Sequence, residues 1–382
     1  MRVIVDVRPM MEGRRGGVGT YAAEVLAALA RRQTHDYVLF GNGRPSALRA
    51  LFSGLHVSES PHLQSRFSHY PNRLLNASIA FLRRPRIERL AGPADAAYLP
   101  NLNFLATRLP YAVTVHDLSF IRSPQFFSAK QRAWHRLVNV PRLLHDAAAV
   151  IAVSEHTKQD VIETFGIDAQ KIFTVSPAAD ASFVPQTESV VTELRRRLGL
   201  HKPYFLFLGA LEPRKNITGL IEAYDRLDAD ADIVIAGRKG WLYEDIFRRA
   251  EHSKKRDRIH FLGYVDNKDK PALYAGAIAL VYPSFYEGFG MPPLESMAVG
   301  TPVIASNVSS LGEVMGDAGL LVKPESADSI AEAMRSVMSD ARLAAALRER
   351  GMALAKNFSW DKSAAMLEKV FTEIGGAKSR RD

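Results

Sequence analysis

One stretch decides the fold, Ser284-Phe285-Tyr286-Glu287-Gly288-Phe289-Gly290-Met291-Pro292-Pro293-Leu294-Glu295. The apolar run 277–282 before it predicts a buried parallel strand, and residues 294–299 predict a helix with Pro293 at its first position. Backbone N–H groups and the dipole of that helix favour a phosphate at the loop between them. A diphosphate would repel Glu287 and Glu295, so both are assigned to sugar or ribose hydroxyls. The alternative is a tight turn with two solvated glutamates.

Length and composition favour a cytosolic protein with two domains. A chain of 382 residues is long for one hydrophobic core, so two domains are expected. It contains no apolar run of the length that spans a bilayer, and residues 1–6 lead directly into a strand, so neither a membrane helix nor a signal peptide is expected. The absence of cysteine excludes disulfides, thiolate metal sites and a cysteine nucleophile.

Positive charge is concentrated in the first half of the chain. Residues 1–185 contain 22 Lys and Arg against 14 Asp and Glu, whereas the remainder has 28 against 27. Segment 66–89 holds six arginines and one glutamate, interleaved with aromatic and aliphatic residues. Such a segment can lie on an anionic membrane surface, or it can be a solvated helix that packs into its own domain. No nucleic-acid motif is recognised, so nucleic acid is not expected as a partner.

The first half begins with a βαβ pattern that has a glycine-rich loop after its first strand. Gly16 and Gly17 lie in that loop and allow the backbone to approach a ligand closely, although the spacing does not match a dinucleotide fingerprint. His116 follows the predicted strand 111–115, at the edge of the sheet where ligands gather. Residues 176–189 predict a linker. The expected domains are therefore 1–185, 186–358 and a terminal helix within 359–382 that packs towards the first domain.

Strands alternate with helices again in the second half, which predicts a parallel, doubly wound sheet. The predicted strands are 204–208, 232–236, 259–262, 277–282, 302–305 and 319–322. Three of the loops that follow them carry phosphate- or hydroxyl-binding residues, and parallel strands place these loops along one edge. In the first loop Arg214 can bind oxygens bidentately and Lys215 supplies a point charge. No cluster has metal-ligand spacing and no P-loop is present, so neutralisation of a diphosphate without metal or cofactor is expected.

These motifs lead to a known family. The sequence resembles the retaining glycosyltransferases of family 4, which have the GT-B fold and a Glu-x7-Glu motif that matches Glu287 to Glu295 without a gap. The resemblance covers nearly the whole chain, including Gly16-Gly17-Val18-Gly19, Val115-His116-Asp117 and residues 209–216. It implies an α/β protein with two Rossmann-like, doubly wound domains that face each other across a cleft. The motifs are most similar to a bacterial branch of mannosyl- and related transferases of surface polysaccharide assembly.

The resemblance also implies the role of each site residue. Glu295 should bind the ribose hydroxyls, Glu287 the donor sugar, and Lys215 the diphosphate. His116 should lie beside the donor sugar and the reacting carbon. Many members carry an arginine where this chain has Ala210, and Arg214 is expected to supply that charge. The remaining nucleotide-sugar-binding residues are expected to act through their backbone, and they are Gly16, Gly17, Gly288, Phe289, Gly290 and Met291.

The implied reaction is sugar transfer to an acceptor hydroxyl with retention, in which the leaving diphosphate accepts the proton and His116 and Glu287 are the catalytic residues. The first choice of donor is GDP-mannose, with GDP-rhamnose and UDP- or dTDP-sugars as alternatives. The expected acceptor is a lipid-linked or polysaccharide glycan in O-antigen, lipopolysaccharide or exopolysaccharide assembly. The enzyme is expected in the cytoplasm, peripherally bound to the inner face of the membrane. Alternatives of another class are a sugar-nucleotide epimerase, a glycogen-type phosphorylase and a non-catalytic nucleotide-sugar-binding subunit.

Overall fold

A computed structural model describes residues 1–12, 17–44 and 60–376. The strands are β1 (Arg2–Asp6), β2 (Asp36–Asn42), β3 (Leu63–Ser68), β4 (Ala96–Leu99), β5 (Tyr111–Val115), β6 (Ala149–Ala152), β7 (Ile172–Thr174), β8 (Tyr204–Leu208), β9 (Asp232–Ala236), β10 (Ile259–Gly263), β11 (Ala279–Tyr282), β12 (Val303–Ser306) and β13 (Leu320–Val322). The helices are α1 (Gly17–Arg32), α2 (Asn72–Leu82), α3 (Ile87–Ala91), α4 (Ser119–Arg122), α5 (Ala129–Val138), α6 (Val140–Asp146), α7 (Glu155–Phe165), α8 (Glu188–Arg197), α9 (Ile217–Asp225), α10 (Glu244–Glu251), α11 (Lys270–Ala275), α12 (Met291–Ala298), α13 (Ser310–Met315), α14 (Ala327–Ser339), α15 (Ala341–Ala355) and α16 (Trp360–Gly376).

The chain divides into two compact units. The first contains Met1–Leu118, Ala129–Pro177 and Ser359–Asp382, and the second contains Ser119–Ser128 and Ala178–Phe358. The second unit therefore begins at Ala178 rather than at residue 186, and it includes a short segment that the sequence places in the first domain. The aromatic residues of that segment explain its place. Phe126 stacks on Phe285 with ring centroids 5.4 Å apart, and its carbonyl oxygen accepts a 2.5 Å hydrogen bond from Trp241 Nε1.

The first unit is built on a seven-stranded parallel sheet in the order β3-β2-β1-β4-β5-β6-β7. The strand order reverses between β1 and β4, which creates a crevice at their carboxyl ends. The central strands β1, β4 and β5 are mostly apolar and buried on both faces except for Arg2 at the start of β1, as is typical of a parallel sheet covered by helices. The carboxyl-terminal helix α16 belongs to this unit, where Arg32 Nε donates to Glu368 Oε2 at 2.7 Å and Phe371 packs on Tyr98.

The second unit is built on a six-stranded parallel sheet in the order β10-β9-β8-β11-β12-β13. Here the strand order reverses between β8 and β11, which pair directly through Phe205 with Ala279 and Leu206 with Leu280. Sequence and structure agree on the existence of all six strands. Helix α12 begins at Met291 rather than at residue 294, because Gly290, at φ +102°, forms its cap and two prolines occupy its first turn. In the described part of the chain, no helix is both long and apolar enough to cross a bilayer.

Candidate active site

The candidate active site of the second unit lies at the carboxyl ends of β8 and β11. The connections leave these two neighbouring strands towards opposite sides of the sheet, and such a switch point is where open α/β sheets bind ligands. The loop after β8 carries Arg214 and Lys215, and the loop after β11 carries Glu287. The structure therefore brings together the two cations and the first glutamate that the sequence analysis selected.

Glu287 is the centre of a buried cluster of charged side chains. Its Oε1 lies 2.5 Å from Lys215 Nζ, and its Oε2 lies 3.1 Å from Arg214 Nη1. Lys215 Nζ also donates to Tyr282 OH at 2.8 Å, and Arg214 Nη2 donates to Glu212 Oε1 at 2.8 Å. All five side chains are buried. Two carboxylates and two cations thus form a compact cluster without net charge.

The surroundings of the two acidic groups in this cluster act on their pKa values in opposite directions. Burial alone raises the pKa of Glu287, but Lys215 and Arg214 outweigh it and lower the pKa to about 2. Burial raises the pKa of Glu212, and the positive charges of Arg214 and Lys215 oppose that rise only in part. Glu287 is therefore firmly ionised at neutral pH, and both of its carboxylate oxygens act only as hydrogen-bond acceptors.

The backbone of the Glu287 loop is fixed by the loop that follows β12. Glu287 N donates to Ser309 Oγ at 2.9 Å, and Ser310 Oγ donates to the Glu287 carbonyl oxygen at 2.9 Å. Gly290 has a positive φ, and a Cβ at this position would lie 2.6 Å from Leu311 Cδ2, so glycine is required. These contacts fix the path of residues 287–290 into the amino terminus of α12. The sequence analysis gave no role to Ser309 and Ser310, because their contact with Glu287 depends on how the two loops fold together.

The second glutamate of the motif has a different environment. Glu295 lies in α12, is buried, and accepts a 2.8 Å hydrogen bond at Oε2 from Tyr274 OH. Burial raises its pKa, while the positive charge of Lys270 opposes the rise. The two glutamates are therefore chemically distinct: Glu287 is held by two cations and Glu295 by a phenol. This difference agrees with separate roles at separate hydroxyl groups.

The loop after β9 lies beside the loop after β8. Leu211 N donates to the Arg238 carbonyl oxygen at 2.9 Å, and Gly237 approaches Gly209 so closely that a Cβ would lie 1.7 Å from the Gly209 oxygen. The Arg238 guanidinium lies 4.2 Å from the ring centroid of Tyr264, which follows β10. The loops after β8, β9 and β11 are therefore neighbours along one edge of the sheet, as expected for the three loops with phosphate- or hydroxyl-binding residues.

In the first unit, His116 follows β5 and is held in one tautomer. Its Nε2 lies 2.8 Å from the Pro100 carbonyl oxygen, which can only accept, so Nε2 carries the hydrogen. Burial lowers the pKa of His116. The neutral ring therefore offers Nδ1 as a hydrogen-bond acceptor, while the edge of Tyr21 packs against the ring at 4.8 Å.

The amino terminus of α1 borders the crevice of the first sheet. A cavity of about 180 Å³ is lined there by Gly17 at the start of α1, Asp6 at the end of β1 and Asn101 after β4, among other residues. Gly17 is exposed, with open space around its Cα. Gly16 lies outside the described residues. The predicted glycine loop thus leads into a helix at the switch point of its own sheet.

Comparison with known proteins identifies the family. Residues 15–183 match the sequence family described as Glycosyltransferase Family 4, and residues 190–353 match that described as Glycosyl transferases group 1. The O-antigen chain mannosyltransferase B of Escherichia coli is 32% identical, over 94% of this chain and 97% of the relative. The chain belongs to glycosyltransferase family 4. The D-inositol 3-phosphate glycosyltransferase of Corynebacterium glutamicum is also similar, at 30% identity over 70% of this chain and 67% of its own length.

Solved structures confirm the fold of this family 4 glycosyltransferase. The Anabaena protein HepE, solved with UDP and glucose, aligns with a TM-score of 0.78 at 19% identity, over 98% of this chain and all of its own. WaaG, a glycosyltransferase involved in lipopolysaccharide biosynthesis, aligns with a TM-score of 0.70 at 16% identity, over 98% and 99% of the two chains. The predicted GT-B fold class, with two Rossmann-like units, is confirmed, and so is the predicted enzyme class of a hexosyltransferase.

Proposed function

We propose that this glycosyltransferase moves mannose from GDP-mannose to a hydroxyl of a lipid-linked or polysaccharide glycan in O-antigen or lipopolysaccharide assembly. Mannose is chosen because a relative that is 32% identical over 94% of this chain is an O-antigen chain mannosyltransferase. The observation that carries the proposal is the buried cluster around Glu287 at the switch point of the second sheet. An ionised carboxylate and an ammonium group side by side at this position support the binding of a sugar diphosphate.

Each group of the site has a proposed role. Glu287 accepts hydrogen bonds from the donor sugar, and Glu295 accepts them from the ribose. Lys215 and the backbone N–H groups of residues 288–291 bind the diphosphate, as do those of Gly16 and Gly17. Because Pro292 and Pro293 lack an N–H, the amino terminus of α12 contributes through Gly290 and Met291.

The proposed reaction retains the anomeric configuration and needs neither metal nor cofactor. Lys215 and the helix terminus stabilise the charge that develops on the leaving diphosphate. A diphosphate oxygen then accepts the proton of the incoming hydroxyl, and the enzyme contributes mainly by positioning the two substrates. His116 takes part as a neutral ring whose Nδ1 accepts a hydrogen bond from the donor sugar.

A thermal-shift screen with GDP, UDP and dTDP tests the choice of donor. A ligand that binds only the folded protein raises the apparent stability by about 2.7 kcal/mol when its concentration is 100 times its dissociation constant. We expect the largest shift with GDP and a smaller one in the Glu295→Ala variant. A larger shift with UDP or dTDP would contradict GDP-mannose as the donor.

A product assay separates transfer from the alternative chemistry. A glycosyltransferase releases GDP from GDP-mannose in proportion to the acceptor that is glycosylated, whereas an epimerase converts the donor without acceptor and without release of GDP. A nucleotide-sugar-binding subunit would do neither. We expect acceptor-dependent release of GDP. Conversion of the donor alone would support the epimerase instead.

We propose further that the enzyme binds the inner face of the cytoplasmic membrane through segment 66–89. Helix α2 in this segment buries Leu75 and Ile79, so one apolar face of the helix packs within its own unit. Four other large apolar side chains of the segment remain exposed, with relative exposures between 54% and 76%, and they are Tyr70, Leu74, Phe81 and Leu82. Packing within the unit therefore does not explain these four exposed apolar side chains.

The spacing and the charges of this exposed surface support a membrane as its partner. Leu74 and Phe81 are seven residues apart and therefore lie on one side of α2, and Tyr70 is exposed just before the helix begins. Arg73 and Arg84 are exposed nearby. Helix α5 lines a shallow groove together with α2 and adds exposed Trp134 and Leu137, which the sequence analysis did not select. Exposed apolar residues flanked by arginines are typical of segments that lie in the head-group region of anionic bilayers.

Flotation with vesicles tests the membrane proposal. The full chain should float with phosphatidylglycerol-containing vesicles and much less with pure phosphatidylcholine. The double variant Leu74→Ser, Phe81→Ser should remain at the bottom of the gradient. The matched control Leu242→Ser, Leu321→Ser changes two exposed leucines of the second unit and should float normally. Equal flotation with both vesicle types would show that electrostatic attraction does not contribute to membrane binding. Normal flotation of the α2 variant would show that α2 does not contact the membrane.

A further inference from the structure

We infer that Glu212 and Arg214 are positioning residues that hold Glu287 in place for the donor sugar, and that Lys215 alone of the two adjacent cations serves the diphosphate. The inference rests on the proposed role of Glu287. It gives a role to Glu212, which the sequence analysis did not select. It also replaces the expected role of Arg214 as a diphosphate ligand by a role that acts through Glu287.

Arg214 connects two loops of the second unit beside Glu287. Its Nη2 donates to Glu212 Oε1 at 2.8 Å, and its Nη1 donates to the Tyr286 carbonyl oxygen at 2.6 Å and to Glu287 Oε2 at 3.1 Å. The Arg214 carbonyl oxygen accepts a hydrogen bond from Phe285 N at 2.9 Å. Side chain and backbone of one residue thus join the loop after β8 to the loop after β11, directly beside Glu287.

Glu212 is buried and pairs with Arg214. Its side chain is 3% exposed, and a buried carboxylate is costly unless a cation and hydrogen bonds compensate. Arg214 provides that compensation with one nitrogen of its rigid fork, and the geometry of the fork then directs the other nitrogen to Glu287. Glu212 therefore orients Arg214, and Arg214 orients Glu287. A lysine at position 214 could not meet both carboxylates with a fixed geometry.

Lys215 differs from Arg214 in the kind of contact that it makes. Its ammonium group lies against Glu287 and the Tyr282 hydroxyl, on a flexible stem with three rotatable donors. Such a group can turn towards an incoming phosphate and keep one hydrogen bond to Glu287. Arg214 would have to break its contacts with Glu212 and with the Tyr286 carbonyl to do the same. The two neighbouring cations are thus divided between positioning and ligand binding.

The test uses four variants: Glu212→Gln, Arg214→Lys, the combination of these two, and Lys215→Ala. For each variant, calorimetry measures the affinity for GDP, and a transfer assay with GDP-mannose measures kcat. Because small displacements of a positioned group can cost about 100-fold in rate, we expect kcat to fall about 10- to 100-fold in both single variants. Their GDP dissociation constants should stay within about threefold of wild type, a change of less than about 0.7 kcal/mol. Lys215→Ala should weaken GDP binding more than tenfold.

The combined variant and two controls make the result decisive. If Glu212 and Arg214 act as a unit, the double variant should lose little more kcat than either single variant. Glu212→Asp keeps the charge and should recover part of the lost rate, which also covers the case that Glu212→Gln does not fold. Glu193→Gln and Arg196→Lys alter an exposed pair of the same residue types and should change neither quantity.

Two outcomes would overturn the inference. One is a loss of GDP affinity in Arg214→Lys as large as in Lys215→Ala, which would make Arg214 a phosphate ligand. The other is multiplication of the two kcat losses in the double variant, which would make the residues independent. Failure of the proposed function is distinguishable from both, since the wild-type enzyme itself would then bind no GDP or transfer no mannose.

Discussion

Replacement of Glu287 by glutamine should destabilise the second unit by an amount that depends on pH. The pKa of Glu287 is about 2, against 4.5 for an unperturbed glutamate. At about 1.4 kcal/mol for each pH unit of that difference, ionisation of Glu287 favours the folded state by about 3 kcal/mol. Glutamine has nearly the same shape but no charge, and it leaves Lys215 and Arg214 buried with one carboxylate fewer. Loss of one partner from a buried ion pair costs about 3–5 kcal/mol in other proteins.

The pH dependence follows from the direction of the pKa change. Because the pKa is lower in the folded state, the contribution of Glu287 is complete above about pH 4.5 and is lost as the pH falls through about 2. The difference in unfolding free energy between wild type and Glu287→Gln should therefore be about 3 kcal/mol at pH 7 and less than half of that at pH 3.

Urea unfolding followed by fluorescence can measure this difference in the second unit alone. The chain has three tryptophans, Trp134, Trp241 and Trp360, and only Trp241 lies in that unit. A background with Trp134→Phe and Trp360→Phe therefore gives a signal specific to the second unit. The control Glu251→Gln changes an exposed glutamate and should stay within about 0.5 kcal/mol of the parent. A difference below about 1 kcal/mol at pH 7, or one that does not shrink at pH 3, would refute the electrostatic account of this cluster.

Three further predictions concern single positions. Glu295→Ala should weaken GDP binding about 30-fold or more in calorimetry, because two charge-assisted hydrogen bonds to ribose are lost; unchanged affinity would refute the ribose role. His116→Ala should lower kcat at least about tenfold and leave GDP affinity nearly unchanged. Wild-type kcat should not fall as the pH is lowered through 6.5, because burial lowers the pKa of His116. A loss of rate at that pH would show that the reaction needs the neutral ring but that the ring has an ordinary pKa. Gly237→Ala should destabilise the second unit by more than about 3 kcal/mol in urea unfolding, because the new Cβ would overlap the Gly209 oxygen. The control Gly263→Ala has open space around the new Cβ and only a positive φ, so it should cost about 1 kcal/mol. Equal losses of stability in the two variants would contradict the close approach of Gly237 to Gly209.

Sequence patterns predicted those elements whose burial is complete. Strands β8 and β9 are apolar runs buried on both faces, and their bounds agree with the prediction at both ends. The amino terminus of α7 was also predictable, because Ser154 Oγ accepts a 3.0 Å hydrogen bond from Thr157 N as an N-cap serine should. In these cases the local sequence and the tertiary environment demand the same conformation.

Strand β3 and helix α15 are among the elements that escaped prediction, and each did so for a physical reason. Strand β3 lies at the edge of its sheet with mostly exposed polar side chains, so it lacks the apolar run or alternation of a strand. Helix α15 buries little more than Leu347 and Gly351, so its sequence has no broad apolar face, although it is rich in alanine and arginine. Elements that contribute little to the core leave little trace in the pattern.

The candidate site was predictable as a set of residues but not as a network. Spacing and loop position selected Arg214, Lys215 and Glu287, because parallel strands place such loops at one edge. The sequence does not contain the information that Arg214 turns towards Glu212 and Glu287 instead of solvent. That choice depends on the depth at which the two loops are buried, which raises the cost of an unpaired charge and forces the cations and carboxylates together.

The measurement that tests the central claim most directly is transfer from GDP-mannose labelled with ¹³C at the anomeric carbon to a lipid-linked glycan acceptor, followed by NMR of the product. The account predicts an α-mannosyl product with one GDP released for each bond formed, and no product from the Glu287→Ala variant. A β-linked product would contradict retention. Undiminished transfer by Glu287→Ala would contradict the assignment of the active site to the buried cluster at the switch point of the second sheet.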